Sequence, residues 1–588
     1  MAKKKMSFKL NKSPQMADVH VAISYNILYS DYDTVDPYSF IENIPTLPML
    51  NFVVGLQNQV IFSISNTSVQ RKMIQNMCPW LEIKERKKAW EFQKDQSFPL
   101  LITCDTTFLF FRLALSRFVQ MEQGDDELDL CDDEMLGVYK ALLYCNQKWT
   151  DAASPNINDM QLGMKTDPMY LTKLSVKIDL PIVEFKQHKD FRTQFVKAVH
   201  FFKFCENDET FRTYLPYFYA DYQCHDWKEY LLNLFQFYSN ALNGSYVQMD
   251  ANVSTFIHNF FDQYTIDITD SKIQTIWSDN NGLNYLRSHF LLKLANKNSY
   301  YLVLNTNLLV DKMFQGLKFD FFNTIKKHKL RTKEGKKYTD YPHFNSVLGA
   351  FFSEPQMLYP FMHKTFEGIA DKLLEGAFLK KQGITGEPDF YMRQGDTLFL
   401  IEYKDLTLGD TIKYSNDINF ICQEIKERLC YDGNDSKGHY KRKGGGQLLA
   451  TMKEHFDNNI FNKFDSDITN VKKICPIILT NDSAFSAMGI SGIVLSSYEE
   501  IKKRNKYKFG DVFVTNPLVI DLDSLIRLSY LIHIGKLNLW DVLWDYLKDN
   551  HYNIKPFNSF VHDNLLRYHT ITAEENAFLF DDFIHSIN

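Results

Sequence analysis

The chain has 588 residues, with 66 Lys and Arg against 72 Asp and Glu, and a formal net charge of −6. That balance excludes a dedicated non-specific DNA binder, whose affinity comes from an overall excess of cations; any grip on a polyanion must be local. With 45% hydrophobic, 23% charged and 15% aromatic residues the chain is no disordered polypeptide, and its length predicts roughly two to four domains.

Taken in order, the start MAKKKMSFKLNKSPQ is basic but has no apolar core behind it, so no signal peptide is expected. HVAISYNILYS and NFVVGLQNQVIFSIS read as strands. Phe98 to Leu115 is the most apolar run, but Asp105 and Arg112 interrupt it, short of the ~20 apolar residues of a membrane span. An acidic stretch follows (Asp125, Asp126, Glu127, Asp129, Asp132, Asp133, Glu134) and reads as a solvated loop between helices. MLGVYKALLYCNQKW and WKEYLLNLFQFYSNAL have helical periodicity, and YYLVLN reads as a buried strand leading into a helix. A basic stretch (Lys326, Lys327, Lys329, Arg331, Lys333, Lys336, Lys337) marks a boundary near residue 335. Nine cysteines are scattered without a C-x-x-C pair, which predicts reduced thiols and no structural zinc. No P-loop, H-E-x-x-H or G-x-S-x-G motif occurs, so no nucleotide cofactor is expected.

Chemistry concentrates in ITGEPDFYMRQGDTLFLIEYKDL. Two apolar strand-like runs flank Gly395-Asp396, a Gly-first pair suited to a two-residue hairpin turn. With that turn, Gln394 pairs with Thr397 and, counting outward, Asp389 comes to face Glu402. Strand alternation then puts Lys404 on the same face. A one-residue slip would break the set, so everything depends on the turn. Two carboxylates at the end of an apolar hairpin repel unless compensated; a divalent cation compensates them, and a lysine beside it can orient water or stabilise charge on phosphate.

Pro388-Asp389 followed by Glu402-Tyr403-Lys404 resembles the signature of the PD-(D/E)xK nuclease superfamily. The resemblance covers roughly residues 340–520. It implies a restriction-endonuclease-like α/β core with a central mixed sheet and an acidic residue on a preceding helix. Glu354 and Glu367 are the candidates in FNSVLGAFFSEPQMLYPFMHKTFEGIADKLLEG, expected to be helical, with Glu354 preferred. It also implies a Gln on a later helix near the metal, here Gln447 after KRKGGG; where some relatives continue Q-x-x-x-Y, this chain has Thr451. The helix start after the glycines suits phosphate. Lys441, Arg442 and Lys443 are expected either to contact nucleic acid or to form a solvated loop. The long interval from Lys404 to Gln447 predicts an inserted helix or lid, and KICPIILTND a final core strand. FVTNPLVIDLDSLIRLSYL adds a strand and helix.

The expected fold class is α+β and multidomain. Residues 1–335 form an N-terminal α+β region of unknown fold for recognition, sensing or partner binding. Residues 336–525 form the nuclease domain, and residues 526–588 a helical extension. The expected function is a cytoplasmic Mg2+-dependent DNA endonuclease of restriction or anti-phage defence, with Mn2+ as a substitute metal. Asp389, Glu402 and Glu354 would be the metal ligands. A protein partner or homo-oligomer is admitted and a membrane is not. The alternatives are an inactive interaction protein of the same fold and an RNA nuclease.

Overall fold

The computed structural model of the chain describes residues 20–62, 66–121, 129–153, 163, 165–186, 189–242, 246–248, 261–279, 282–293, 300–434, 438–550, 553–567 and 569–587. The chain divides into two compact units, each assembled from separated segments.

The first unit is Met1–Asp159, Phe185–Lys189 and Tyr217–Met313. Among its described residues, helices dominate. Strands β1 (His20–Ala22) and β2 (Phe98–Leu100) form a parallel pair. Strands β3 (Tyr246–Gln248), β4 (Leu291–Lys293) and β5 (Tyr300–Val303) form an antiparallel sheet in the order β3-β5-β4. β5 and the helix Thr306–Asp311 match the expected strand leading into a helix. The helices Asp132–Ala153 and Trp227–Leu242 match their periodicity. Two strand expectations are corrected. HVAISYNILYS is extended only at β1 and turns helical at Tyr25–Leu28. NFVVGLQNQVIFSIS lies mostly in the helix Thr46–Ile61, and residues 63–65 lie outside the described residues. The reason is periodic: Leu50, Val53, Val54, Gln57 and Ile61 bury one helical stripe. Gln57 is satisfied there, donating to the Leu304 carbonyl at 2.7 Å and accepting from Thr107 Oγ1 at 2.9 Å. In the acidic stretch, residues 125–127 lie outside the described residues. Asp132, Asp133 and Glu134 form the first turn of a helix, where carboxylates meet the positive end of its dipole.

The second unit is Met160–Glu184, Asp190–Pro216 and Phe314–Asn588. The basic stretch taken from sequence as a boundary lies inside it, ending the helix Gln315–Lys327 and continuing past it. Its centre is a mixed sheet of β6 (Lys372–Glu375), β7 (Phe390–Gln394), β8 (Thr397–Lys404), β11 (Lys473–Thr480), β12 (Phe513–Val514) and β13 (Leu518–Asp521). The order is β12-β11-β8-β7-β6, with β13 also pairing β11. β6, β7 and β8 run as an antiparallel meander; β11 is parallel to β8, β12 and β13. The middle of β8 (Leu398–Ile401) and that of β11 (Ile474–Leu479) are continuous apolar runs because both their faces are covered. On one face Tyr391, Leu398, Leu400, Ile474 and Ile478 join a core with the helices Ile418–Leu429, Gly445–Asn458 and Ile490–Arg504. On the other, Phe390 meets Tyr359 and His363 of the helix Tyr359–Phe366.

The α+β class with a mixed sheet thus agrees with expectation, and β11 with β13 and the helix Leu522–His533 fall where KICPIILTND and LVIDLDSLIRL place them. The segment DKLLEG, expected to be helical, is instead β6: Gly368 turns left-handed (φ +80°), and Leu373 and Leu374 pair with Met392 and Tyr391. All nine cysteines are free thiols. Among the described residues no helix is long and apolar enough to cross a membrane.

Candidate functional site

Gly395 takes φ +57°, which a Gly-first two-residue turn requires, and the hairpin closes on Gln394 paired with Thr397. The pairing runs outward to Phe390 with Ile401, in the register read from sequence. Asp389 lies just beyond it. Its carbonyl accepts from the Gly376 amide at 2.8 Å, and its Oδ2 accepts from the Tyr403 amide at 2.7 Å. The first bond ties the start of β7 to the end of β6, and the second ties it to the end of β8. Lys404 Nζ donates to Glu402 Oε1 at 2.5 Å. Glu402 is only 2% exposed, and its other oxygen, Oε2, is buried with no hydrogen-bond partner. An orphaned carboxylate oxygen in such a place is costly unless something fills it.

Glu354 joins this group from a wide-turned π-helical stretch, Gly349–Leu358, inserted between the helices Tyr341–Leu348 and Tyr359–Phe366. Pro355 inside it has no N–H and its ring excludes a regular α-helical turn, which accounts for the wider winding. The Tyr359 amide accordingly reaches back to the Glu354 carbonyl, five residues earlier. Burial, then Asp389, pushes the Glu354 carboxyl up to about 7, with Lys404 opposing. Burial, then Asp389, pushes Glu402 up to about 8, against the pull of Lys404. Asp389 is raised by burial, with Lys404 and the Tyr403 amide opposing. Burial alone would lower the Lys404 ammonium, but Glu402, Asp389 and Glu354 together outweigh it and raise it. Asp389, Glu402, Lys404 and Glu354 therefore sit within one another's fields. Glu367 does not join them: it is exposed at the C-cap of the helix Tyr359–Phe366. One further acid emerges, Glu387, whose charge adds to the raising of both Glu354 and Asp389. Its place two residues before Asp389 was the only hint in the sequence.

Gln447 braces the site from behind. Its Nε2 donates to the Glu387 carbonyl at 2.8 Å, and Thr451 Oγ1 donates to the Gly386 carbonyl at 2.5 Å. Both hold the backbone leading into Asp389, so the expectation that Gln447 lies among the acids becomes one bond to the segment carrying them. Gly444, Gly445 and Gly446 are all buried. A Cβ on Gly444 would stand 1.9 Å from the Leu429 carbonyl oxygen, and one on Gly446 2.2 Å from that of Tyr431. The glycines let this helix start pack closely against the end of the helix Ile418–Leu429 and the strand that follows it.

That strand belongs to the insertion between Lys404 and Gln447. It contains the helix Ile418–Leu429 and an antiparallel ribbon of β9 (Cys430–Asn434) and β10 (Tyr440–Gly444). Lys441, Arg442 and Lys443 are exposed on β10, a strand where a loop was the alternative. Asp432, buried in β9, accepts from Arg442 Nε and Arg504 Nη2 at 3.2 Å each, from Asn505 Nδ2 at 2.7 Å, and from the Tyr440 hydroxyl. Partial burial of the nitrogen, then Lys441 and Arg428, lowers the Lys443 ammonium; Lys404 adds to the effect, which places Lys443 within the field of the site.

Among the described residues, no three His, Cys, Asp or Glu side chains stand as a ready-made metal cage. No family model, no curated protein and no solved structure matches the chain.

Proposed function

We propose that the second unit is a metal-dependent phosphodiesterase of the PD-(D/E)xK type, acting as a DNA endonuclease in restriction or anti-phage defence. The carrying observation is the buried, unpartnered Glu402 Oε2 beside Asp389, Glu354 and Lys404. Mg2+ fits that donor set, because it prefers hard oxygens and needs only one or two carboxylates beside water and substrate phosphate. Asp389 and Glu402 would hold it, with Glu354 completing the set. When bound, the cation neutralises phosphate charge and acidifies water, which is what phosphodiester hydrolysis needs.

The chain's own residues do the rest. Lys404, held by Glu402, presents an ammonium to a non-bridging phosphate oxygen and stabilises the charge that grows there. Burial opposes that charge, but the carboxylates of Glu402, Asp389 and Glu354 outweigh it and favour the ammonium form of Lys404. Gln447 and Thr451 fix the backbone that aims Asp389. Lys441, Arg442 and Lys443 offer the local cationic surface that an acidic chain requires to hold a polyanion.

Cleavage assays with Mg2+ or Mn2+ on paired DNA and RNA substrates test this. Asp389→Ala is expected to lower both turnover and metal affinity, Lys404→Ala turnover more than affinity. Cleavage that survives both substitutions would remove the site from the mechanism, and preferential cutting of RNA would move the substrate.

A further inference from the structure

We propose that Asp405 is a positioning residue, which through Ser353 sets the gap between Glu354 and the strand end carrying Glu402 and Lys404. This rests on the nuclease reading above. Asp405 follows Lys404 directly, and Ser353 precedes Glu354 directly. Ser353 Oγ donates to Asp405 Oδ2 at 2.5 Å. One bond therefore joins the residues next to two members of the site, which come from different elements.

The tie is itself anchored. Asp405 Oδ1 accepts from Lys318 Nζ at 3.3 Å and from Asn481 Nδ2 at 3.0 Å, and its backbone carbonyl accepts from Asn345 Nδ2 at 3.1 Å. Asn481 also donates its amide to the Lys404 carbonyl at 3.2 Å and accepts from Lys197 Nζ at 3.0 Å. The side chain of Lys318 is 0% exposed, so its charge depends on Asp405. Of the surrounding helices, Gln315–Lys327 thereby reaches the Asp405 carboxylate through Lys318, Tyr341–Leu348 reaches its backbone carbonyl through Asn345, and Phe191–Asn207 supports it only through Lys197 and Asn481.

Such an anchor has a job at this place. Glu354, Asp389 and Glu402 repel one another, and Glu354 rides on a π-helical stretch that Pro355 deprives of a backbone donor. Without an external tie, that stretch would relieve the repulsion by drawing away. The Ser353–Asp405 bond holds it, so that the oxygens meet a cation with little rearrangement.

The test uses the full chain, with Mg2+ alone as the calorimetric probe. Ser353→Ala is expected to weaken Mg2+ binding about ten- to hundredfold and to lower kcat more than it raises KM. A merely structural hydroxyl would lower the metal-free melting temperature and leave Mg2+ affinity unchanged. Two charge-neutral double variants decide the matter even if Ser353→Ala fails to fold. Asp405→Asn with Lys318→Met keeps an acceptor for Ser353 and is expected to stay near wild-type affinity; Asp405→Ala with Lys318→Met removes it and should weaken binding like Ser353→Ala. Equal Mg2+ affinity in the two doubles, or wild-type affinity in Ser353→Ala, would overturn the proposal while leaving the nuclease reading intact. A wild-type protein that binds no Mg2+ would take both down.

Discussion

Glu354, Asp389 and Glu402 cannot all ionise cheaply with Lys404 as their nearby cation, because each new charge raises the cost of the next. The helix acid is part of that balance and Glu367 is not. Glu354→Gln is therefore expected to cut turnover about ten- to hundredfold, while Glu367→Gln, at an exposed cap, stays within about twofold; steady-state cleavage rates of the two variants check this. Burial works the same way at Asp521. Its Oδ1 caps the helix Leu522–His533 by accepting from the Ser524 amide at 2.7 Å, while its Oδ2 is buried with no partner. Burial, then Asp523, pushes its pKa from 3.8 up to about 6. A raised carboxyl contributes stability that is present below its ordinary pKa and lost as pH rises through the folded value. Asp521→Asn keeps the capping oxygen and cannot ionise. Its stability relative to wild type should rise between about pH 4 and pH 7 by on the order of 2–3 kcal/mol, then level off. Denaturant titrations across that range measure it, and a pH-independent difference would show that Asp521 does not ionise as described.

At the scale of elements, legibility followed the distance over which a structure is decided. The β7–β8 hairpin is decided within a few residues: Gly395 supplies the left-handed turn, the flanking runs alternate, and Asp389, Glu402 and Lys404 follow by counting. The helix Thr46–Ile61 was misread because a dense apolar run satisfies both periods, and burial of one stripe chose the helix. The π-helical stretch around Glu354 has no period a pattern would reveal, although Pro355 marks the break. Residues such as Asp405 were opaque for another reason: Lys318, Ser353 and Asn481 approach it from distant parts of the chain. The β9–β10 ribbon combines both cases, with a visible basic run and an invisible anchor in Asp432. If the ribbon holds a phosphate backbone, Lys441→Ala and Lys443→Ala should each reduce the salt dependence of DNA binding by roughly one unit of slope, without altering Mg2+ affinity. Fluorescence anisotropy over a range of salt reads that slope, and an unchanged slope in the double variant would take the ribbon out of the interface.

For the whole molecule, what matters is that the second unit is not one stretch of chain. A nuclease domain beginning at residue 336 contains the sheet and all four site residues, yet omits several helices of the same unit, two of which, Phe191–Asn207 and Gln315–Lys327, pack close to the site. Phe201 and Phe204 of the helix Phe191–Asn207 lie 5.6 and 5.5 Å from the Phe352 ring, centroid to centroid, two residues from Glu354. Lys318 of the helix Gln315–Lys327 is the cation paired with buried Asp405. Removing the two helices uncovers apolar surface worth about 1.5–3 kcal/mol per large side chain, and leaves a buried carboxylate without its lysine at about 3–5 kcal/mol. Together these losses rival the whole stability of an ordinary domain, about 5–15 kcal/mol. A fragment of residues 336–588 is therefore expected to show no cooperative melting transition by circular dichroism and no Mg2+ binding by calorimetry, while the full chain shows both. A fragment that melts cooperatively and binds Mg2+ as the full chain does would mean that the hairpin and its immediate helices suffice, and that the convergence on Asp405 is dispensable.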